Sequence, residues 1–147
     1  MPDSMDVREA QSRLKSLAEF RFQMRKFLSF SESASERCGI PAQQYQLMQV
    51  IASIPEGQQA SITYLAERMI LRHNSTVELV DRAERAGLVR RESDPKDMRR
   101  SLVLLTPHGT DILDRLVAEH LNELSPLCEH LIQALRDLQG AVEPPAA

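Results

Sequence analysis

The sequence predicts a mainly α-helical fold carrying one small β-hairpin, on three observations. Over most of the 147 residues, apolar side chains recur at steps of three and four, the period of one helix face. Aromatic residues make up only 4% of the chain and Trp is absent, so Leu, Ala and Met carry the apolar load, a helix-favouring set. Only between residues 88 and 105 does the pattern change. There the β-prone runs "LVRRE" and "RSLVLL" bracket a polar loop, "SDPKDMR", which reads as a hairpin. The length fits one domain spanning 1–147 with a real core.

The first helix is expected to start near Asp6, where Asp6 and Glu9 have capping-box spacing, and to run to about Arg37. Leu14, Leu17, Phe20, Met24, Phe27 and Leu28 form its apolar stripe, and Gly39 suits its C-terminal cap. Some thirty residues make a rod of about 45 Å, longer than a domain of this size needs, so it is expected to pack on a second chain. Pro41 can open helix two, Ala42 to Ser53, which offers Tyr45, Leu47, Met48, Val50 and Ile51 for burial before "IPEGQ" breaks it. Ser61 is a natural N-cap for a short helix, "ITYLAERM". The connection "ILRH" leads to "NSTVELVDRAERAG", with Val77, Val80 and Ala83 on one face and Gly87 as its stop. After the hairpin, Thr106 caps and Pro107 opens a helix marked by Ile112, Leu113, Leu116, Val117 and Leu121. Ser125-Pro126 is expected to restart the chain into a last helix that Gly140 ends, and "AVEPPAA" to be a frayed tail.

Two short helices joined by about four residues make a helix-turn-helix whose second member is the reader. With a two-stranded wing after it, the order is that of a winged helix-turn-helix, occupying 42–105 between long helices at 6–37 and 107–139. Charge points the same way. The net charge is -3, yet Arg68 to Arg100 holds nine basic and six acidic side chains, netting +3 against -6 elsewhere. A helix fits the major groove of double-stranded DNA, and small polar residues opening the reader can approach phosphates and base edges. Those residues are His73, Asn74, Ser75 and Thr76, with Arg72 just before them and Arg82 about two turns on. A slender arginine at the wing tip gains from the negative potential of the minor groove.

The run "LAERMILRHNSTVELVDRAERAGLVRRESDPKDMRRSLVLLTPHG" resembles the core of the MarR family of bacterial transcriptional regulators. That family's wing carries Asp-x-Arg, matched by Asp97-Met98-Arg99, followed by Leu-Thr-x-x-Gly, matched by Leu105-Thr106-Pro107-His108-Gly109. The reader pattern "STVELVDRAERAGLV" matches too, and the flanking helices fall where the family builds its dimer, so the resemblance covers nearly the whole chain. It implies a triangular homodimer with interlocked N- and C-terminal dimerisation helices, its two winged lobes binding successive major-groove segments of a pseudo-palindromic operator. Arg99 would be the minor-groove finger and Asp97 would orient the wing by pairing with a nearby arginine. Ser75 and Thr76, with Arg72, His73 and Asn74, would supply groove and phosphate contacts. Effectors in the family are often small phenolic or lipophilic anions held between the dimer helices and the winged lobe.

Other residues carry two readings. Arg100 opens the return strand and either faces solvent or adds charge for DNA. Arg90 and Arg91 alternate across a strand, so at most one faces DNA and the other is scaffolding. Glu78, early in the reader, either steadies the helix N-terminus or accepts from a cytosine amino group. Arg82 and Asp81 form an internal ion pair or a phosphate clamp, with some DNA role favoured for Arg82. His73 either caps the reader or reaches a phosphate. Phe20, Phe22, Phe27 and Phe30 are expected in dimer packing. Cys38 and Cys128 lack CxxC spacing and suit a reducing compartment; redox sensing through Cys38 is the minor alternative. His120, Cys128 and His130 do not make a metal site, because Cys128 and His130 point to different sides of a helix. No nucleophile–base pair, suitably spaced carboxylates or Gly-rich phosphate loop stands out, so neither catalysis nor a cofactor is expected. A polar N-terminus and the lack of any long apolar run point to the cytoplasm, without membrane association. The competing class is a helical protein-interaction module that keeps the winged fold without binding DNA, supported by the acidic net charge and Glu78.

Overall fold

Five helices and one hairpin follow one another in the computed structural model, which describes residues 4–142. They are α1 (Ser4–Arg37), α2 (Ala42–Ala52), α3 (Ile62–Met69), α4 (His73–Arg85), β1 (Val89–Asp94), β2 (Asp97–Leu105) and α5 (Pro107–Gly140). Ser33–Glu119 forms one compact unit; the segments up to Glu32 and from His120 form a second.

In the first unit, local chemistry sets most boundaries. Gly39 and Gly87 both adopt φ +76°, which a Cβ disfavours. Around each, the chain closes a Schellman cap: Ile40 N donates to Ser35 O and Leu88 N to Ala83 O, each at 3.0 Å. Ser61 Oγ accepts from Tyr64 N at 3.2 Å and so starts α3. Pro41 stands just outside α2 with extended ψ, accepting from Tyr45 N. The two strands pair antiparallel from Val89 opposite Leu105 to Ser93 opposite Ser101, and Ala60 O accepts from Val103 N, adding a short third edge. The core joins Leu47 and Met48 of α2, Leu65 of α3, Leu79, Val80 and Ala83 of α4, Leu88, Val89 and Val103 of the hairpin, and Leu113 and Leu116 of α5. Each large side chain fully buried there contributes about 1.5–3 kcal/mol.

The turn that closes α3 is strained. Ile70 ends α3 in the left-handed region, φ 54° and ψ 47°, with its side chain 91% exposed. A β-branched residue there costs about 1–2 kcal/mol and gains nothing from burial. Ile70→Gly is expected to raise the melting temperature by about 3 °C, read by a thermal melt; a lower midpoint would show that the turn is not strained.

The hairpin is tighter than its sequence predicts. Pro95 and Lys96 alone make the turn, so Asp97, Met98 and Arg99 belong to β2 rather than to a loop. The cause is Asp94, 2% exposed, whose carboxylate accepts from Lys96 N at 2.9 Å and folds the chain back at once.

A second correction concerns Pro126. The expected restart at Ser125-Pro126 does not occur, and α5 runs unbroken through it. Proline removes one helical hydrogen bond, but the inward positions stay in phase across it: His120, Leu124, Leu127, Leu131, Ala134 and Leu138 are all buried or half-buried. That uninterrupted stripe outweighs a local signal. In α1 the predicted stripe divides. Phe20, Met24 and Phe27 are half-buried, whereas Leu14, Leu17 and Leu28 lie 45–65% exposed; off the stripe, Phe30 is half-buried and Phe22 is 47% exposed. Most of the predicted tail lies outside the described residues.

His120 is 8% exposed, and burial pushes its imidazole below the ordinary value of 6.5, with Glu123 opposing the shift. The folded chain therefore binds this proton less readily than the unfolded chain does. Stability is held above about pH 6.5 and lost as pH falls below it. His120→Gln is expected to flatten the acid side of a melting-temperature profile between pH 5 and 7.5; an unchanged slope would assign the acid sensitivity elsewhere.

Candidate nucleic-acid interface

The reader α4 is amphipathic by construction. Leu79, Val80 and Ala83 turn into the core, which forces residues between them outward. Arg72 precedes its first turn, and Arg72, His73, Asn74 and Ser75 are all exposed. Thr76 departs from the expected contact set. It is fully buried, and its hydroxyl donates to Arg72 O at 2.9 Å, so it anchors the start of the reader and presents nothing outward. His73 is the first helical residue and does not cap; Arg72 takes the cap position, with no side-chain cap bond.

Charges on α4 are largely paired. Arg82 reaches Glu78 at 3.6 Å, one turn back, rather than Asp81. Asp81 instead joins Glu84 in holding Arg91. Arg91 Nη2 lies 2.5 Å from Asp81 Oδ1, Nη1 lies 2.9 Å from Glu84 Oε1, and the Arg91 backbone N–H donates to Glu84 Oε2 at 2.9 Å. Arg91 is thus the scaffolding member of its pair, bracing the wing against the reader. Arg90 faces the other way and pairs with Glu92 along the strand. The brace was readable only in part: Asp81 and Glu84 are one turn apart, but nothing local says that a strand crosses them.

At the wing, Asp97 Oδ1 accepts from Arg99 N at 3.1 Å, and Arg99 Nε stands 4.0 Å from the same oxygen. Asp97 therefore sets the backbone beneath Arg99 and leaves the guanidinium outstretched, 95% exposed. Arg100 is exposed beside it. These pieces meet. Ile62 and Thr63 of α3, His73 and Val77 of α4, and Arg91, Arg99 and Arg100 of the hairpin line one cleft of about 260 Å³. Four basic side chains and the N-terminus of α3 converge on it, an arrangement suited to a polyanion.

Behind the wing, Thr106 holds α5 to the end of the reader. Its hydroxyl bridges to Gly87 O at 2.6 Å, its N–H donates to Leu88 O at 3.0 Å, and Thr106 Oγ1 accepts from Gly109 N at 3.0 Å. Cys38 and Cys128 are free, exposed thiols. Among the described residues no three His, Cys, Asp or Glu side chains converge as a metal ion requires, and no helix is long and apolar enough to cross a membrane.

Helix, turn and reader followed by a braced two-stranded wing define a winged helix-turn-helix protein with a basic cleft between reader and wing. Known proteins agree. A family model described as the MarR family matches residues 39–100. Over 106 residues the chain is 36% identical to the transcriptional regulator HosA of Escherichia coli O111:H-, a match covering 67% of this chain and 76% of that protein. It is 32% identical over 96 residues to a relative from Thauera aromatica, of whose length it spans 56%. Among solved structures, the MarR family transcription regulator SP03579 superposes with a TM-score of 0.75 at 20% identity, covering 92% of this chain and 90% of that one. The Streptomyces coelicolor MarR family regulator Sco3205, crystallised in complex with DNA, gives 0.65 at 23% identity, covering 90% and 86%. The chain belongs to the MarR family of transcriptional regulators.

Proposed function

We propose that the chain acts in the cytoplasm as a homodimer that binds a pseudo-palindromic operator in double-stranded DNA and represses transcription until a small aromatic or lipophilic effector releases it. One observation carries the DNA reading: His73 at the start of the reader and Arg99 of the wing line the same basic cleft. In this pose Arg72, His73, Asn74 and Ser75 meet the major groove and its phosphates, while Arg99 enters the flanking minor groove. Arg100 adds positive potential near the backbone, and Arg82, paired with Glu78, can exchange that partner for a phosphate. Thr76 and Asp97 act indirectly, by fixing the first turn of the reader and the wing strand.

The dimer reading rests on the terminal helices. Leu14, Leu17, Phe22 and Leu28 of α1 and Leu121, Ile132 and Leu135 of α5 are 40–65% exposed, more large apolar surface than two helices ordinarily leave to water. An effector acts by binding one spacing of the two readers better than the other.

Selection of bound fragments from a random duplex library, with and without aromatic acids, tests this together with the solution mass. The expected result is one enriched palindrome bound by a dimer, with enrichment lowered by at least one acid. A library with no enriched motif would favour the protein-interaction reading.

A further inference from the structure

Arg100 borders two clefts. Beyond the one facing the reader, a second of about 480 Å³ is lined by Gln58, Gln59 and Ser61 ahead of α3, by Tyr64 within it, and by Lys96 and Arg100 of the hairpin. Its chemistry is one-sided. Every one of those side chains can donate a hydrogen bond, two are cations, and no carboxylate lines the space. The N-terminus of α3 adds partial positive charge at Ser61.

Two further observations set this cleft apart. Arg82, Arg90 and Arg91 each have an acidic partner, whereas among the described residues neither Lys96 nor Arg100 makes an ion pair. Lys96 is also fixed at its root, because its N–H donates to the buried Asp94 carboxylate. A turn already held in shape loses less entropy when its side chain engages a ligand. One cation on a preset turn and a second on the adjoining strand, neither in an ion pair and both amid neutral donors, match a tetrahedral oxyanion.

We propose that this cleft is a second phosphate seat, taking a backbone phosphate of the duplex beside the minor groove that Arg99 enters. The inference rests on the DNA-binding reading and extends the footprint to the loop between α2 and α3, with Lys96, Gln58 and Gln59 as contacts. These contacts carry no sequence information, so they add affinity to any duplex. The same chemistry also describes a site for free inorganic phosphate.

The test compares the full chain with Lys96→Ala on the selected operator and on a scrambled duplex of equal length, over a range of salt. Lys96 is exposed, so the variant keeps its fold. Expected are a loss of about three- to tenfold on both duplexes alike and a fall of about one in the slope of log affinity against log salt. Asp94→Ala is expected to reproduce part of the loss, and Asp94→Asn, which keeps the acceptor for Lys96 N–H, to restore it. An unchanged slope and affinity in Lys96→Ala overturns the seat. If inorganic phosphate shifts the amide signals of Gln58, Gln59 and Lys96 while the DNA slope stays unchanged, the cleft is a free-anion site and the duplex assignment falls. A parent chain that binds neither duplex overturns the DNA reading as well, which separates the two failures.

Discussion

Arg99→Ala is expected to weaken operator binding by about tenfold or more, about 1.4 kcal/mol at least, while the melting temperature stays within about a degree of the parent. Fold and function separate at this residue because of where its atoms are. The side chain is 95% exposed and touches Asp97 only at 4.0 Å, an exposed ion pair that adds little stability. Its contribution is therefore available to DNA, where a narrow minor groove concentrates negative potential. Asp97→Ala is expected to give a smaller loss, since it frees the Arg99 backbone without removing the cation. A gel-shift titration beside a thermal melt reads both quantities. Undiminished binding by Arg99→Ala would sink the finger assignment.

Gly109→Ala is expected to destabilise the chain by about 3 kcal/mol or more, lowering the melting temperature by about 10 °C. A Cβ at Gly109 would stand 2.1 Å from Leu88 O and 3.0 Å from Leu88 C, and these are backbone atoms that no side-chain rotation can clear. Relief requires the first turn of α5 to lift from the end of the reader. That movement would also stretch the Thr106 bonds to Gly87 O and Leu88 O. Leu88 is 1% exposed within the core, so it cannot retreat instead. Gly140→Ala is the matched control. Nothing lies within 4 Å of its added Cβ, and the change is expected to be neutral or slightly stabilising. A Gly109→Ala chain that melts with the parent would show that the junction is slack.

These two sites also show what could be read in advance. Asp97-Met98-Arg99 is visible in the sequence as charge at a turn, and the resemblance marks Arg99 as the finger. What the hairpin geometry adds is that Asp97 grips the Arg99 backbone instead of neutralising its guanidinium. Gly109 closes a recognisable pattern, Leu-Thr-x-x-Gly, but its physical role needs Leu88, twenty-one positions away in the chain. Lys96 is conspicuous only as one charge among several until Asp94 is seen buried beneath the turn. Thr76 sits in a polar run that reads as outward-facing, and only packing turns it inward.

The order of elements and most of their ends are legible in the sequence alone. Gly39, Gly87, Ser61 and Thr106-Pro107 act through caps closed within about five residues, so no distant contact is needed to read them. The change from helical to strand period that makes a wing is legible there too. Tertiary structure decided everything that depends on how an element is rotated against its neighbours. It carried α5 through Pro126, because one buried stripe continues on both sides. It split the apolar set of α1 into covered and open side chains. It also gave Arg91 to Asp81 and Glu84, and Arg82 to Glu78. A cap is a short loop of covalent chain closing on itself, whereas a face exists only once something packs against it.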